Sequence, residues 1–454
     1  MGEMEVRDDA LYGASTMRAV LNFPVSGHPM PEDFIRSVGL LKYACASANE
    51  ALGLLDAEKA EWIRRAAAEI HEGALTQHFP VDVFQTGSAT STNMNANEVI
   101  ANRASQLAGK PIGSKDPVHP NDDCNRSQSS NDTMPTALHL SVAVALNDQL
   151  KPALDTLSAS LHRKSEAFKD IVKIGRTHLM DATPLTLGQE FSGYAAQVSK
   201  SSIRVDKAVE ALSELALGGT AVGTGINCHP EFAGKVISVL NEKTGLHFRE
   251  ADNHFEAQGA RDDCVEVAGQ LAAIAGALTK VANDIRLLGS GPRSGIGELR
   301  LPAIQPGSSI MPGKVNPVMC EMLVQTCLYA QGLCGTVVNC GRDGQFELNV
   351  TIPLIAYTLH ESVRCLANAA RTFAERCVDG IEANRETCDR LVKQSLMLVT
   401  ALNPHIGYDK AAAVAKKAFA EGKTLRDVVL EEGLMDEKTL DAALDPLDMV
   451  KPKA

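Results

Sequence analysis

Three polar segments contain the side chains that could do chemistry in this chain. They run from Thr86 to Asn95, from Ser127 to Asp132 (shortly after His119-Pro-Asn-Asp122), and from Gly307 to Pro317. Their hydroxyl and amide groups can donate neutral hydrogen bonds to a carboxylate, although the same residue types also favour helix caps and turns. Taken alone, the first two segments are as compatible with capping as with binding a carboxylate.

The third segment is the most specific of the three. Two glycines and two prolines surround paired serines, Lys314 and Asn316, and we expect Asn316 to cap the next helix with Pro317 at its first position. Backbone N–H groups in such a loop, with a lysine nearby, can bind an anion and lower the cost of deprotonating a serine. The combination favours a serine base beside an anion site.

Glu321 is the only charged residue between Val315 and Gly341, where the chain is dense in Met, Leu, Val, Cys and Ala. A lone carboxylate on such a helix is costly to bury unless a donor pairs with it. His178, in a predicted loop between two long helices, is the candidate partner, because a histidine bonded to a buried glutamate suits acid–base work through water. The alternative, that both residues are structural, stays open, since spacing does not establish the pair.

Apolar residues at helical spacing predict the elements that position these segments. Leucines from Leu150 to Leu161 step by four, three and four, and a second seam runs from Val267 to Leu288 in alternating steps of four and three. The second helix has no charge from Val267 to Thr279 and stops at Gly289. A helix without a polar face is typical of a bundle core or a subunit interface.

The distribution of loop-forming and helix-forming residues along the chain predicts an all-α fold in three domains. We expect an N-terminal domain of short helices and loops (1–126), a central bundle of long helices (127–385) and a small C-terminal helical domain (386–454). In the last domain, Thr424 is expected to cap a helix that stops near Gly433. Strand-like alternation is scarce.

Composition narrows the classes of function. The 454 residues carry a formal net charge of −12, which disfavours binding to nucleic acid or to an anionic membrane but leaves an anionic small substrate open. The eleven cysteines are dispersed, without a CxxC pair or metal-ligand spacing, so we expect reduced thiols and no metal. The N-terminus lacks the pattern of a signal peptide. We therefore expect a cytoplasmic protein.

The third segment resembles the signature of the fumarase/aspartase superfamily, and the resemblance continues through 87–103, 119–132, 175–193, 218–227 and 395–410. Four details are similar to class II fumarases: Thr177-His178, Pro312-Gly-Lys314, Ser129-Ser-Asn131 and Glu321. The resemblance implies a three-domain fold with a long central helical bundle, and a homotetramer whose active sites each take segments from three subunits. It implies no metal, flavin or nucleotide.

The resemblance also implies a reaction, the reversible hydration of fumarate to (S)-malate in the tricarboxylic acid cycle. Ser308, as its alkoxide, would remove the proton from the malate carbon next to a carboxylate. Lys314 and Asn316 would bind that carboxylate and stabilise the dianionic aci-form, which is usually the largest catalytic term. His178, charged through Glu321, would manage the water that leaves or adds.

The remaining roles that the resemblance implies concern binding. A set of hydroxyl and amide side chains would hold the substrate carboxylates: Ser88, Thr90, Ser129, Ser130, Asn131, Thr177 and Ser309. A secondary dicarboxylate site would contain His119, Asn121 and Asp122.

Some positions depart from the fumarase pattern. Ala89 stands where a Gly is common, Asp123 where a His is frequent, and Leu179-Met180 where Thr-Gln is usual. These differences leave two alternative activities open, ammonia-lyase action on aspartate and hydration of a substituted fumarate. A non-catalytic scaffold is a third alternative, but the intact residues named above argue against it.

Overall fold

The structure, a computed structural model, describes residues 3–452 and is 62% helical with 6% strand, which confirms the predicted all-α fold. In chain order the helices are α1 (Ala14–Asn22), α2 (Glu32–Ala51), α3 (Ala57–His71), α4 (Thr90–Leu107), α5 (Ser130–Ala145), α6 (Lys151–Ala167), α7 (Leu187–Ala211), α8 (Phe232–Thr244), α9 (His254–Gly259), α10 (Asp262–Leu288), α11 (Val318–Gly341), α12 (Ile352–Arg376), α13 (Arg385–Gln394), α14 (Asn403–Ile406), α15 (Tyr408–Glu421), α16 (Leu425–Glu431) and α17 (Glu437–Ala443).

The strands form two-stranded pairs. The longest pair is the antiparallel hairpin of β1 (Val172–Thr177) and β2 (Met180–Thr186). Three shorter pairs join β3 (Glu214–Leu215) with β4 (Arg249–Glu250), β5 (Leu299–Arg300) with β8 (Glu382–Ala383), and β6 (Gly344–Gln345) with β7 (Leu348–Asn349).

The chain divides into two compact units. The first contains the described part of Met1–Pro152 together with Ser201–Gly276 and Thr326–Asn368. Inside this unit α2 packs against α3, α5 and α8, and α4 packs against α1 and α3. Helices of 20 and 18 residues, α2 and α4, occur where the sequence predicted short ones. Burial of one apolar face explains this length better than local propensity does.

The second unit contains Ala153–Lys200, Ala277–Gln325 and the described part of Ala369–Ala454. Here α13 packs against β1, and apolar residues of the C-terminal helices form their own core cluster around Leu402 and Val428. Thr424 caps α16 through a capping box with Asp427, and Gly433 follows with φ of +61°, which confirms both predicted signals. The predicted domain boundaries at residues 126 and 385 stay a prediction.

The long apolar seam is buried as predicted. The seam residues of α10 have no exposed surface, and the helix ends at Leu288, directly before Gly289; the seam consists of Val267, Leu271, Ile274, Leu278, Val281 and Ile285. Among the described residues α10 is the one helix long and apolar enough to cross a bilayer by length and composition. A core helix passes the same test, and a buried apolar seam is typical of such a helix.

Candidate active site

The first polar segment enters helix α4. The hydroxyls of Ser88 and Thr90 lie 2.7 Å apart, and the backbone N–H of Ile352 donates to the Gly87 carbonyl at 3.0 Å. Between them Ala89 has a φ of +58°, a left-handed conformation that costs an L-residue about 1–2 kcal/mol. Glycine adopts this conformation without steric cost, so the alanine at this position is strained.

The second polar segment enters helix α5. Ser129 caps the helix in a capping box with Asp132, so the capping interpretation is correct for this serine. The buried Asp132 carboxylate also accepts hydrogen bonds from the backbone N–H groups of Gly218 and Thr220, at 3.1 and 2.9 Å. Burial raises the pKa of Asp132, against the effect of these donors. Asp132 therefore ties this segment to the loop at 218–227.

The structure brings the first two segments together. The side-chain amide of Asn93, on α4, donates to the Ser130 hydroxyl at 2.9 Å and to the side-chain oxygen of Asn125 at 3.1 Å. Asn125 in turn lies 3.3 Å from the ammonium group of Lys42, a residue 1% exposed on α2. Lys42 was missed in the sequence, although it is the only charge between Arg36 and Glu50. Like Glu321, Lys42 is a lone charge in an apolar stretch, which indicates a buried charge with a polar partner.

The predicted secondary site is a turn built around His119. The backbone N–H groups of Asn121 and Asp122 donate to His119 Nδ1 at 3.3 and 3.1 Å, so the proton of the neutral ring lies on Nε2. Asp123 is buried; its carboxylate accepts a hydrogen bond from the backbone N–H of His119 at 2.8 Å and pairs with Lys59 at 3.0 Å. Asp123 therefore anchors the turn, in which Asn121 and Asp122 are exposed and His119 is half-buried.

Thr177 and His178 lie at the exposed tip of the β1–β2 hairpin. Thr177 pairs with Met180, and the two residues between them, His178 and Leu179, have φ values of +55° and +62°. Positive φ at both positions is typical of a type I′ hairpin turn. The prediction of a loop between two long helices was incomplete, because the short strands carry no clear alternation.

Ser308 lies at the start of the third segment, next to the hydrogen bond between Gly307 and Lys314 that closes the loop; we call this closing point the neck of the loop. The Ser308 Oγ accepts hydrogen bonds from the backbone N–H groups of Ile310 and Met311, at 3.2 and 3.0 Å. The Gly307 N–H donates to the Lys314 carbonyl at 2.7 Å, and a Cβ on Gly307 would lie 2.7 Å from the same oxygen. Only glycine fits this close approach, which closes the loop.

Asn316 does not cap a helix, which corrects the prediction. Helix α11 begins at Val318, and the Asn316 side-chain amide donates to the Gly307 carbonyl at 2.8 Å. The side chain that the local sequence predicted as a helix cap instead closes the loop by bonding to Gly307. Ser309 and Lys314 are exposed, so their side chains are open to an anion.

Glu321 lies in the first turn of α11 and is partly exposed. A carboxylate is favoured there by the helix dipole. Among residues 3–452 no hydrogen bond joins Glu321 to His178, so their pairing stays a prediction for the assembled protein. In the same part of the chain no group of three or more His, Cys, Asp or Glu could hold a metal ion.

Comparison with known proteins places the chain in a family. The profile of the Lyase family matches residues 2–332, and that of the fumarase C C-terminus matches 398–451. Class II fumarate hydratase of Thermosynechococcus vestitus is 52% identical over 441 residues, 97% of this chain and 94% of the relative. Mitochondrial fumarate hydratase of Homo sapiens is 50% identical over 454 residues, 100% of this chain and 89% of the relative.

Solved structures agree. A class II fumarase from Schistosoma mansoni superposes with a TM-score of 0.97 at 39% identity, covering 100% of this chain and 98% of the other. A fumarate lyase:delta crystallin from Brucella melitensis, described as bound to cobalt, gives 0.96 at 45% identity, with 99% and 98% covered. The chain belongs to the lyases of the fumarase/aspartase superfamily and, within them, to the class II fumarate hydratase family.

Proposed function

We propose that this protein is a fumarate hydratase that interconverts fumarate and (S)-malate. Family membership over nearly the whole chain supports the substrate class. The observation that carries the chemistry is the pair of backbone N–H groups donating to Ser308 Oγ. Hydrogen bonds to the charged form of a group favour that form, so they lower the cost of an alkoxide at Ser308.

The proposed dehydration begins with proton removal. The Ser308 alkoxide takes the proton from the malate carbon next to a carboxylate, and the electron pair moves into that carboxylate to form the dianionic aci-form. Lys314 and Asn316 lie on the same loop, where a cation and an amide donor would stabilise the charge that develops. The electron pair then returns to form the double bond, and the hydroxyl leaves as water with a proton managed by His178.

Substrate binding is assigned to neutral donors. In the first unit, Asn93 keeps Ser130 close to the first segment, while Asn131 is held by donating to the Ala221 carbonyl at 2.8 Å. In the second unit, Thr177 lies at an exposed hairpin tip. These donors add no net charge. The positive charge in the proposed site then comes from Lys314, which lies on a chain with a formal net charge of −12.

We further propose that the active site is shared between subunits of a homotetramer. Leu179 and Met180, beside His178, are 76% and 70% exposed, and exposed large apolar side chains at a tip favour burial against another chain. Glu321 also has no side-chain partner in the described part of one chain. Cytoplasmic localisation and a role in the tricarboxylic acid cycle stay predictions from sequence.

A chelator-treated assay tests the proposal. Purified protein dialysed against chelator is offered fumarate, aspartate and methylfumarate side by side. We expect fumarate to be consumed, followed by its ultraviolet absorbance, with malate as the product. Ammonia released from aspartate without malate turnover would assign the chain to the ammonia-lyases, and loss of activity restored by a divalent metal would refute the metal-free mechanism.

The role of Ser308 is tested by comparing substitutions. We expect Ser308→Ala to lower kcat by more than His178→Asn does, because one group makes the carbanion while the other assists water, a contribution of about 10²–10⁴-fold. Ser309→Ala is the control, because Ser309 is proposed to bind substrate and not to act as the base. It should therefore affect mainly KM. A modest effect of Ser308→Ala would show that the base lies elsewhere.

A further inference from the structure

A buried ion network lies beneath the β1–β2 hairpin, and no step of the proposed reaction uses it. Glu298 has no exposed surface. Its two carboxylate oxygens accept hydrogen bonds from the two terminal nitrogens of Arg176, at 3.0 and 3.1 Å. The Lys173 ammonium lies 3.3 Å from the same carboxylate and 2.7 Å from that of Glu190. All four residues belong to the second compact unit.

The hairpin is bent so that both cations reach Glu298. In a regular strand, residues three positions apart point to opposite faces. The register of β1 against β2 shifts between Ile174 and Arg176, and this irregularity lets Arg176 point to the same side as Lys173. A Cβ on Gly175 would lie 2.5 Å from the Thr183 carbonyl oxygen, so the shift depends on glycine. Irregularities of this kind re-aim side chains next to active sites.

The tip of the hairpin is held by the backbone pairing of Thr177 with Met180. Within residues 3–452 neither the Thr177 nor the His178 side chain has a hydrogen-bond partner, and His178 and Leu179 both occupy the left-handed region. Two strained residues in succession persist only when the surrounding structure over-determines them. The nearest rigid attachment along the chain is Arg176, one residue before Thr177, and its planar fork fixes orientation as well as distance.

We propose that Glu298 is a positioning residue that orients the Thr177–His178 tip through its two-pronged bond to Arg176. The inference rests on the proposed function, because it assigns the tip to substrate and water. A buried charge network is weak support for stability, since apolar residues of similar size often serve as well. We expect the network instead to fix the orientation of two groups, the Thr177 hydroxyl and the His178 imidazole.

The test compares two glutamates of the same network. Glu298→Gln keeps the shape but loses the charge that holds Arg176. Glu190→Gln makes the same change at a carboxylate that contacts Lys173 and the Tyr194 hydroxyl and makes no bond to Arg176. We expect Glu298→Gln to lower kcat/KM for malate about tenfold to a hundredfold, the scale of a displacement near 1 Å in an active site. We expect Glu190→Gln to stay within threefold of the wild type.

The split between kcat and KM separates positioning from damage to the fold. A variant that only reduces the folded fraction lowers the apparent kcat and leaves KM unchanged. Displacement of Thr177 raises KM as well, so we expect both parameters to change in Glu298→Gln. Arg176→Lys keeps the charge, loses the fork, and should reproduce this result. If Glu298→Gln does not fold, Arg176→Lys with unchanged KM overturns the proposal.

Hydrogen exchange supplies a readout that is independent of activity. Peptides covering 172–186 should exchange faster in Glu298→Gln than in Glu190→Gln, while peptides from α13 stay alike. Equal kinetics and equal exchange in the two variants would overturn the proposal. Wild-type protein inactive on fumarate would instead refute the proposed function, and the exchange comparison would still decide whether Glu298 anchors the hairpin.

Discussion

The buried Lys42 makes a prediction whose size follows from the structure. Its ammonium group donates to the side-chain oxygen of Gln128 at 2.9 Å and lies 3.3 Å from that of Asn125. Burial lowers the pKa of Lys42 from 10.5 to about 8. We consider the substitution Lys42→Met, which keeps a side chain of similar length and removes the charge.

The pKa difference converts into a change of stability with pH. At about 1.4 kcal/mol per pKa unit, the shift corresponds to a burial penalty of about 3 kcal/mol. Below pH 8 both folded and unfolded chains hold the proton, so the penalty is fully present. Between pH 8 and 10.5 the unfolded chain keeps the proton that the folded chain loses, so stability rises with pH. Wild-type protein therefore gains stability across this window through Lys42.

The assay is urea unfolding of wild type and Lys42→Met at intervals from pH 7.5 to 10. Other groups also titrate in this range, but their effect cancels in the difference between the two proteins. We expect the wild type to gain relative to the variant as pH rises, approaching about 3 kcal/mol. Lys416→Met, at an exposed position, is the control and should give no such slope.

Parallel curves for wild type and Lys42→Met would refute this reasoning. A second readout connects the same residue to the site. Asn125, which Lys42 contacts, accepts a hydrogen bond from Asn93, and Asn93 donates to Ser130. We therefore expect Lys42→Met to raise KM for fumarate, and an unchanged KM would show that this chain of contacts does not hold the second segment in place.

Three further predictions concern single positions. Gly307→Ala places a Cβ 2.7 Å from the Lys314 carbonyl and should open the loop neck, so we expect kcat to fall at least about a hundredfold with little change in Tm; normal turnover would contradict this. Burial lowers the pKa of His139 to about 4, so stability is lost as pH falls from 6.5 towards 4, and His139→Asn should flatten that part of the unfolding curve by about 3 kcal/mol. Glu321→Gln should reduce turnover while size-exclusion chromatography shows an intact oligomer; dissociation would make Glu321 structural.

Much of the fold could be predicted because its signals are local. The apolar period of α10 and the cap at Thr424 depend on residues within one or two turns, and both are confirmed. The grouping of polar residues in the first two segments could also be predicted, because helices do not need such clusters. The structure then shows which serine is a cap: Ser129 bonds its own helix, while Ser130 is held by Asn93.

The features that could not be predicted depend on contacts between distant residues. From its neighbours in sequence alone, Asn316 is expected to cap a helix. In the structure its side-chain amide instead donates to the carbonyl of Gly307, nine residues earlier. In the sequence, Lys173 and Arg176 look like ordinary exposed charges, but both contact Glu298, more than a hundred residues later. Sequence spacing contains no information on such partners, so the hairpin and its anchor were both missed.

The candidate site residues differ in how firmly the chain holds them, and the difference follows their proposed roles. Three of the groups that we propose bind carboxylates, Ser129, Ser130 and Thr177, are linked to buried polar residues, namely Asp132, Lys42 and Glu298. In the part of the chain that the structure describes, the proposed base is held by its own loop, through the bonds at Gly307 and Ser308. A binding group loses affinity when it moves, because the cost of ordering it is subtracted from the binding free energy. A base must both approach a carbon atom and release the product, so a loop closed at its neck and open at its tip suits it better than a buried anchor would.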